Sequence, residues 1–123
     1  RKKKSTFKGC EGFPTIAQDF LALPRCIFIG SILADREAIR EGIPGMGTHD
    51  FHRIENVNER ENYKRLVNLM RRSLQFPSTQ TANMLDFWRH HNLNLNWVTE
   101  KDLEDIQNLL RGQYRIILFT YVS

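Results

Sequence analysis

The sequence predicts a small mixed domain, either α/β or α+β, in which a three-stranded mixed sheet is covered by four to five helices. Apolar, strand-like runs occupy about 26–32, 92–98 and 114–122, and segments with helical period or helix caps lie around them. The 123 residues are enough to bury one core. We therefore expect a single globular domain over residues 11–123, preceded by a basic flexible leader at 1–10.

The first elements are assigned from period and from helix-breaking residues. PTIAQDFLAL (14–23) has apolar residues at helical spacing, and Pro24 follows it as a stop. CIFIGSI (26–32) is short, apolar and partly β-branched, which is typical of a buried strand. The charged stretch LADREAIRE (33–41) predicts an exposed helix. GIPGMG (42–47) has three glycines and a proline, so it predicts a break and the start of a connection.

The middle of the chain predicts two neighbouring helices. Residues 58–74 carry one apolar stripe, formed by Tyr63, Leu66, Val67, Met70 and Leu74. After QFPS, Ser78 is suited to cap a second helix, TQTANMLDFWRHH (79–91). Both helices have one apolar side, so we expect them to pack against each other.

The last three elements predict a βαβ unit. NLNLNWV (92–98) alternates strictly, which is the period of a half-buried strand with its asparagines facing outward. Residues 99–112 predict a helix, because Thr99 and Asp102 have capping-box spacing and Gly112 suits the C-terminal end. YRIILFTYV (114–122) is rich in β-forming residues and predicts a central strand.

The positive charge is concentrated at one end. The net charge is +4, and the leader contains no acid but holds Arg1, Lys2, Lys3, Lys4 and Lys8. Such a run is typical of a nuclear-localisation signal, a nucleic-acid-binding arm or a solvated end. The predicted helix 58–74 adds basic residues away from its apolar stripe, namely Lys64, Arg65, Arg71 and Arg72. Together these two sets predict several phosphate contacts.

Our first hypothesis is a non-enzymatic domain that associates with nucleic acid, RNA or DNA, or with a nucleoprotein assembly. The alternative is a protein-interaction or oligomerisation module of a larger protein, because a strand at 114–122 could pair with another chain at a sheet edge. A third hypothesis is a metal-dependent hydrolase or nuclease that uses the segment 47–65. That segment holds the candidate metal ligands His49, Asp50 and His52, but no C-x-x-C or H-E-x-x-H motif supports them. We therefore expect a connecting loop there and no metal.

Other classes are disfavoured by what the sequence lacks. Neither Gly30-Ser31 nor the glycines of 42–47 match a Walker or dinucleotide fingerprint, so no cofactor is expected. Cys10 and Cys26 are too few for a disulfide framework, which favours a reducing compartment. No apolar run approaches the roughly 20 residues of a membrane span. We expect an intracellular protein, cytoplasmic or nuclear, with no membrane association.

Overall fold

The protein is helical throughout the part that the structure describes. A computed structural model describes residues 19–117 and contains four α-helices and two single 3₁₀ turns. The helices are α1 (Ala22–Glu41), α2 (Val57–Gln75), α3 (Pro77–His90) and α4 (Leu103–Leu110), and the 3₁₀ turns are Phe51–Arg53 and Glu100–Asp102. No strand occurs within residues 19–117, so the predicted three-stranded sheet and the α/β or α+β class are wrong.

The main core lies among the three long helices. Helices α1, α2 and α3 each contact the other two, and α4 closes the cluster with two buried side chains, Ile106 and Leu110. The three long helices contribute these buried hydrophobic residues to the main core: Cys26, Phe28, Ile29, Ile32, Leu66, Met70, Met84 and Trp88. The prediction that the second and third of these helices pack as neighbours is confirmed, because α2 and α3 make the most extensive helix contact.

The run 26–32, predicted as a strand, belongs to α1. Phe28 and Ile29 lie four and three residues before Ile32, and this spacing places all three buried side chains on one side of a helix. A short continuous apolar run fits a buried strand and a buried helix equally well. The run joins residues 33–41 in one helix of 20 residues, and this length lets it pack against both α2 and α3.

The described residues cover only part of what was predicted for the start of the chain. Residues 1–18 lie outside the described range, and so do the leader at 1–10 and half of the predicted helix 14–23. Pro24 does not stop a helix. It lies buried in the first turn of α1, where backbone N–H groups have no partner inside the helix, so proline sacrifices no hydrogen bond there.

The alternating run 92–98 forms turns, and its asparagines are the reason. Asn92 adopts φ 59° directly after α3, a left-handed conformation that asparagine tolerates better than most residues. The N–H groups of Asn92 and Leu93 donate to the carbonyl oxygens of Arg89 and Trp88, which is the Schellman pattern that ends a helix. Asn94 then accepts from the backbone N–H of Asn96 through its side chain, 2.8 Å away, as asparagine does in tight turns.

Residues 114–122 were predicted to pair with a neighbouring strand. In the described part of this run, a side chain makes hydrogen bonds to the backbone instead. Residues 114–117 have no regular secondary structure, and 118–122 lie outside the described residues. The amide of Gln107 on α4 donates to the carbonyl oxygen of Tyr114 (2.8 Å) and accepts from the N–H of Ile116. These two bonds satisfy backbone groups that a neighbouring strand would otherwise satisfy.

The remaining helix predictions are confirmed with shifted ends. The helix 58–74 is α2, with Asn56 as its N-cap, and the helix 79–91 is α3. Ser78 is not the N-cap of α3, because Pro77 already occupies the first helical position after Phe76. The Thr99–Asp102 capping box is present ahead of α4, although α4 itself ends at Leu110. None of the helices in the described part of the chain is long and apolar enough to cross a membrane.

A buried polar network joins the three long helices. Arg25 of α1 is only 5% exposed. Its guanidinium donates to both carboxylate oxygens of Asp19, at 3.3 and 3.1 Å, and to the side-chain oxygen of Gln80 on α3, at 3.1 Å. Gln80 in turn donates to the carbonyl oxygen of Ser73 on α2, 3.1 Å away. The buried charge is therefore paired and hydrogen-bonded, as a buried arginine requires.

Candidate nucleic-acid interface

Four basic side chains lie on the exposed side of α2. The buried residues of this helix fix its orientation, and Lys64, Arg65, Arg71 and Arg72 are all exposed. Lys64 and Arg71 are seven residues apart, as are Arg65 and Arg72, so each pair lies almost in line along the helix. Two helical turns separate the members of a pair by about 10 Å along the axis. The four side chains form one surface, which we call the α2 basic face.

The hydrogen bonds on the α2 basic face leave most of its charge available. Arg65 donates to the side-chain oxygen of Asn62 (3.3 and 3.0 Å), and Arg71 donates to that of Asn68. Both partners are neutral amides, which orient a guanidinium without neutralising it. Lys64 has the one acidic partner on this face, Glu61 at 3.4 Å, in an exposed pair. Arg72 makes no side-chain hydrogen bond or ion pair within residues 19–117.

Charge is distributed unevenly among the helices. The five basic residues of α2 are Arg60, Lys64, Arg65, Arg71 and Arg72, against the two acids Glu59 and Glu61. The segment 99–111, which contains α4, has the opposite balance: its acids are Glu100, Asp102, Glu104 and Asp105, and its bases are Lys101 and Arg111. Residues 19–117 hold 13 basic and 13 acidic side chains and so carry no net charge, and α2 is a local region of positive charge within them.

An open cleft of about 450 Å³ lies beside the α2 basic face. It is bounded by α1, α2, α3 and the segment that follows α4. Arg65 of α2 lines it, so this arginine belongs both to the basic face and to the cleft. The other polar groups around it include Asp35 from α1, Asp86 and His90 from α3, and Tyr114. Its volume is within the range of small-molecule sites.

One hydrogen bond fixes the far side of the cleft. The hydroxyl of Tyr114 donates to Oδ2 of Asp35, 3.0 Å away. Burial raises the pKa of Tyr114 to about 12, and the bond to Asp35 acts in the same direction. The pKa of His91 is lowered, first because burial disfavours its charged form and then because His90 lies beside it. His91 is therefore held toward its neutral form at neutral pH.

Aromatic rings form the floor of the cleft. The ring of Phe87 lies 4.4 Å from that of His91 and 6.1 Å from that of Tyr114, centroid to centroid. Phe28 also lines the cleft, and its ring lies 5.8 Å from that of Phe87. The cleft thus has both aromatic and polar side chains in its lining.

The segment predicted as a possible metal site forms a connecting loop. His49 and His52 are exposed. The carboxylate of Asp50 accepts from the backbone N–H of Gly47, 2.8 Å away, which is local turn chemistry. Across residues 19–117 no three His, Cys, Asp or Glu side chains come together in a group that could hold a metal ion. The metal hypothesis gains no support from this loop.

The predicted site residues divide into two groups. Lys64, Arg65, Arg71 and Arg72 come together on α2, whereas Arg1, Lys2, Lys3, Lys4 and Lys8 lie outside the described residues. Sequence reasoning missed the cleft. Asp35 and Tyr114 are 79 positions apart, and no spacing rule joins them. The adjacent pair His90-His91 was the one sequence feature that could have indicated the cleft, because two consecutive histidines at a helix end project in neighbouring directions.

Comparisons with protein-family models, with curated proteins and with solved structures found no match to this chain.

Proposed function

We propose that this domain binds nucleic acid through the sugar-phosphate backbone, with the α2 basic face as its principal contact surface. One observation carries the proposal: four basic side chains share an exposed face along about 12 Å of helix, and only Lys64 has an acidic partner there. A polyanion is the ligand that such a row of exposed cations fits best, because each phosphate it neutralises releases bound counterions.

The arrangement of charge favours an oriented contact. The segment 99–111 is acidic, so a polyanion is attracted to α2 and repelled from the region of α4. Phosphate contacts of this kind position a protein without reading the base sequence. We therefore expect binding that depends strongly on salt, and we place the leader residues Arg1, Lys2, Lys3, Lys4 and Lys8 as additional phosphate contacts.

The test is a binding titration with fluorescein-labelled single-stranded oligonucleotides of about ten residues. Four phosphate contacts give an affinity that falls about 50-fold between about 50 and 200 mM salt. The double substitution Arg71→Gln and Arg72→Gln removes two contacts, and it should reduce the slope of log affinity against log salt by about 1.4. A chain lacking residues 1–8 is measured in parallel to separate the leader from the folded domain.

The matched control is Lys101→Gln with Arg111→Gln, which removes the same charge from an exposed region away from α2. This control should keep the wild-type salt slope. Equal losses in the two double variants would show that only net charge matters and would contradict the proposal. A wild-type chain that binds no oligonucleotide but changes its mass with concentration would favour the protein-interaction alternative.

A further inference from the structure

The cleft beside α2 combines features that phosphate binding alone does not use. Arg65 stands at its α2 wall, within the α2 basic face, so a phosphate held there has its own sugar and base beside the cleft. The cleft is about 450 Å³, and it offers an aromatic floor with polar groups around it. In single-stranded nucleic acids, proteins recognise bases with such surfaces: rings that stack on the base and polar groups that bond its edge.

The polar groups of the cleft are rich in hydrogen-bond acceptors. Tyr114 occupies Oδ2 of Asp35, and Oδ1 of that carboxylate has no hydrogen bond within residues 19–117. The amide nitrogen of Asn83 donates to the hydroxyl of Ser73, 3.2 Å away, which leaves its oxygen as an acceptor. Asp86 adds a second carboxylate, of which Oδ1 accepts from Arg89 at 3.1 Å. Acceptors of this kind bind the exocyclic amino group of a base, as acidic side chains do with cytosine N4.

The charge of Asp35 also limits which part of the ligand enters. Asp35 repels a phosphate and Arg65 attracts one, whereas Asp86 is already paired with Arg89, 3.1 Å away. The phosphate is therefore expected at Arg65 and the uncharged base deeper in the cleft. Insertion requires that the base leave its stack, which costs more in a duplex than in a single strand.

We propose that this cleft receives one unstacked, amino-bearing nucleobase of a single-stranded nucleic acid, with Asp35 accepting from its exocyclic amino group and Arg65 binding its phosphate. This proposal rests on the function proposed above and specifies its ligand. Phe87, His91 and Tyr114 supply the stacking surface. Uracil and thymine present a carbonyl oxygen where cytosine has its amino group, so Asp35 has no hydrogen to accept at that position.

Cytosine and uracil oligonucleotides provide a matched pair of probes, because the two bases differ only at C4, which bears an amino group or a carbonyl oxygen, and at N3, which is an acceptor in cytosine and an N–H donor in uracil. The full chain should bind oligo(C) at least about five-fold more tightly than oligo(U) at the same salt. Asp35→Asn keeps an oxygen that can accept from Tyr114 but replaces the other carboxylate oxygen with an amide nitrogen, which donates. This variant should lose the preference for oligo(C) or reverse it.

The control is Asp105→Asn, which removes one negative charge from an exposed position on α4. It should change the two affinities by the same factor and leave their ratio at the wild-type value. Far-ultraviolet circular dichroism of each variant checks that the helices are intact. Phe87→Leu keeps an apolar side chain while removing the ring, and as a second cleft variant it should weaken oligo(C) more than oligo(U).

The outcomes separate this proposal from the one on which it rests. Salt-dependent binding that Arg71→Gln with Arg72→Gln weakens, together with a C-to-U ratio of one, would overturn the base cleft and leave the phosphate interface standing. Absence of any oligonucleotide binding would overturn both. If free cytidine monophosphate displaces oligo(C) as well as unlabelled oligo(C) does, the cleft is a mononucleotide site, and the single-strand proposal is wrong.

Discussion

Arginine has two different roles in this molecule, one in the core and one on the surface. Arg25 is buried, and its guanidinium is paired with Asp19 and hydrogen-bonded to Gln80. Arg65 and Arg71 on α2 are exposed, and each donates to a neutral asparagine one turn away. The buried guanidinium is committed to holding helices together, whereas the exposed ones keep their charge available to a ligand. The comparison teaches that partner and burial, more than residue type, decide what an arginine does.

The largest effect is expected at the buried arginine. Gln80→Leu removes the acceptor of Arg25 and the donor of the Ser73 carbonyl in one step. Each buried polar group left without a partner costs about 1–3 kcal/mol, so the free energy of unfolding should fall by about 2–3 kcal/mol or more. Urea unfolding followed by circular dichroism measures this change. Gln75→Leu, at the exposed end of α2, is the control and should stay within about 0.5 kcal/mol of wild type.

A smaller effect is expected from the acidic partner of Arg25. The hydrogen bonds from Arg25 hold the pKa of Asp19 below its ordinary value of 3.8. The folded state therefore gains stability above the unfolded pKa, and this gain is lost as the pH falls through the lowered folded pKa. Asp19→Asn should remove less than about 1 kcal/mol at pH 6, since its carboxyl is partly exposed.

The difference between Asp19→Asn and wild type should also shrink as the pH falls below about 4, where the wild-type carboxylate becomes protonated. Urea unfolding of both chains at several acidic pH values measures it. A difference that stays constant across this range would show that the pair with Arg25 contributes nothing to folding.

The smallest stability effect is expected on the α2 basic face. Arg71→Gln with Arg72→Gln removes two exposed charges and one bond to Asn68, and the free energy of unfolding should change by no more than about 0.5 kcal/mol. Thermal unfolding without ligand tests this. Unchanged stability together with a loss of oligonucleotide binding would support different roles for the buried and the exposed arginines. A large destabilisation would contradict this difference, because the exposed arginines would then stabilise the fold as Arg25 does.

Helix α2 was the most predictable part of the molecule. Its apolar residues recur at helical spacing over many turns, so its existence and its exposed basic residues followed from the sequence. Its buried side followed as well, except that Leu74 of the predicted stripe is 40% exposed. The capping box at Thr99 and Asp102 was equally visible, because both residues act locally. Patterns that depend only on residues close together in the sequence could thus be interpreted before the fold was known.

The errors lie where tertiary packing or turn chemistry decided the outcome. The run 26–32 is apolar on adjacent positions, which leaves strand and helix indistinguishable until its partners are known. In 92–98 the alternation was genuine, but its asparagines favour left-handed and turn conformations over a strand. The cleft could not be predicted, since its walls come from segments that meet only after the helices pack.

The way Gln107 holds the last described residues has a consequence for cooperativity. Residues 114–116 are attached to α4 through the side-chain amide of Gln107 and to α1 through the Tyr114–Asp35 bond, and Tyr114 and Ile116 pack partly buried against the core that the three long helices share. Releasing this segment exposes only partly buried side chains of the core, so we expect it to open at a lower free energy than global unfolding. One wall of the cleft therefore belongs to a part of the molecule with lower local stability than the three-helix core.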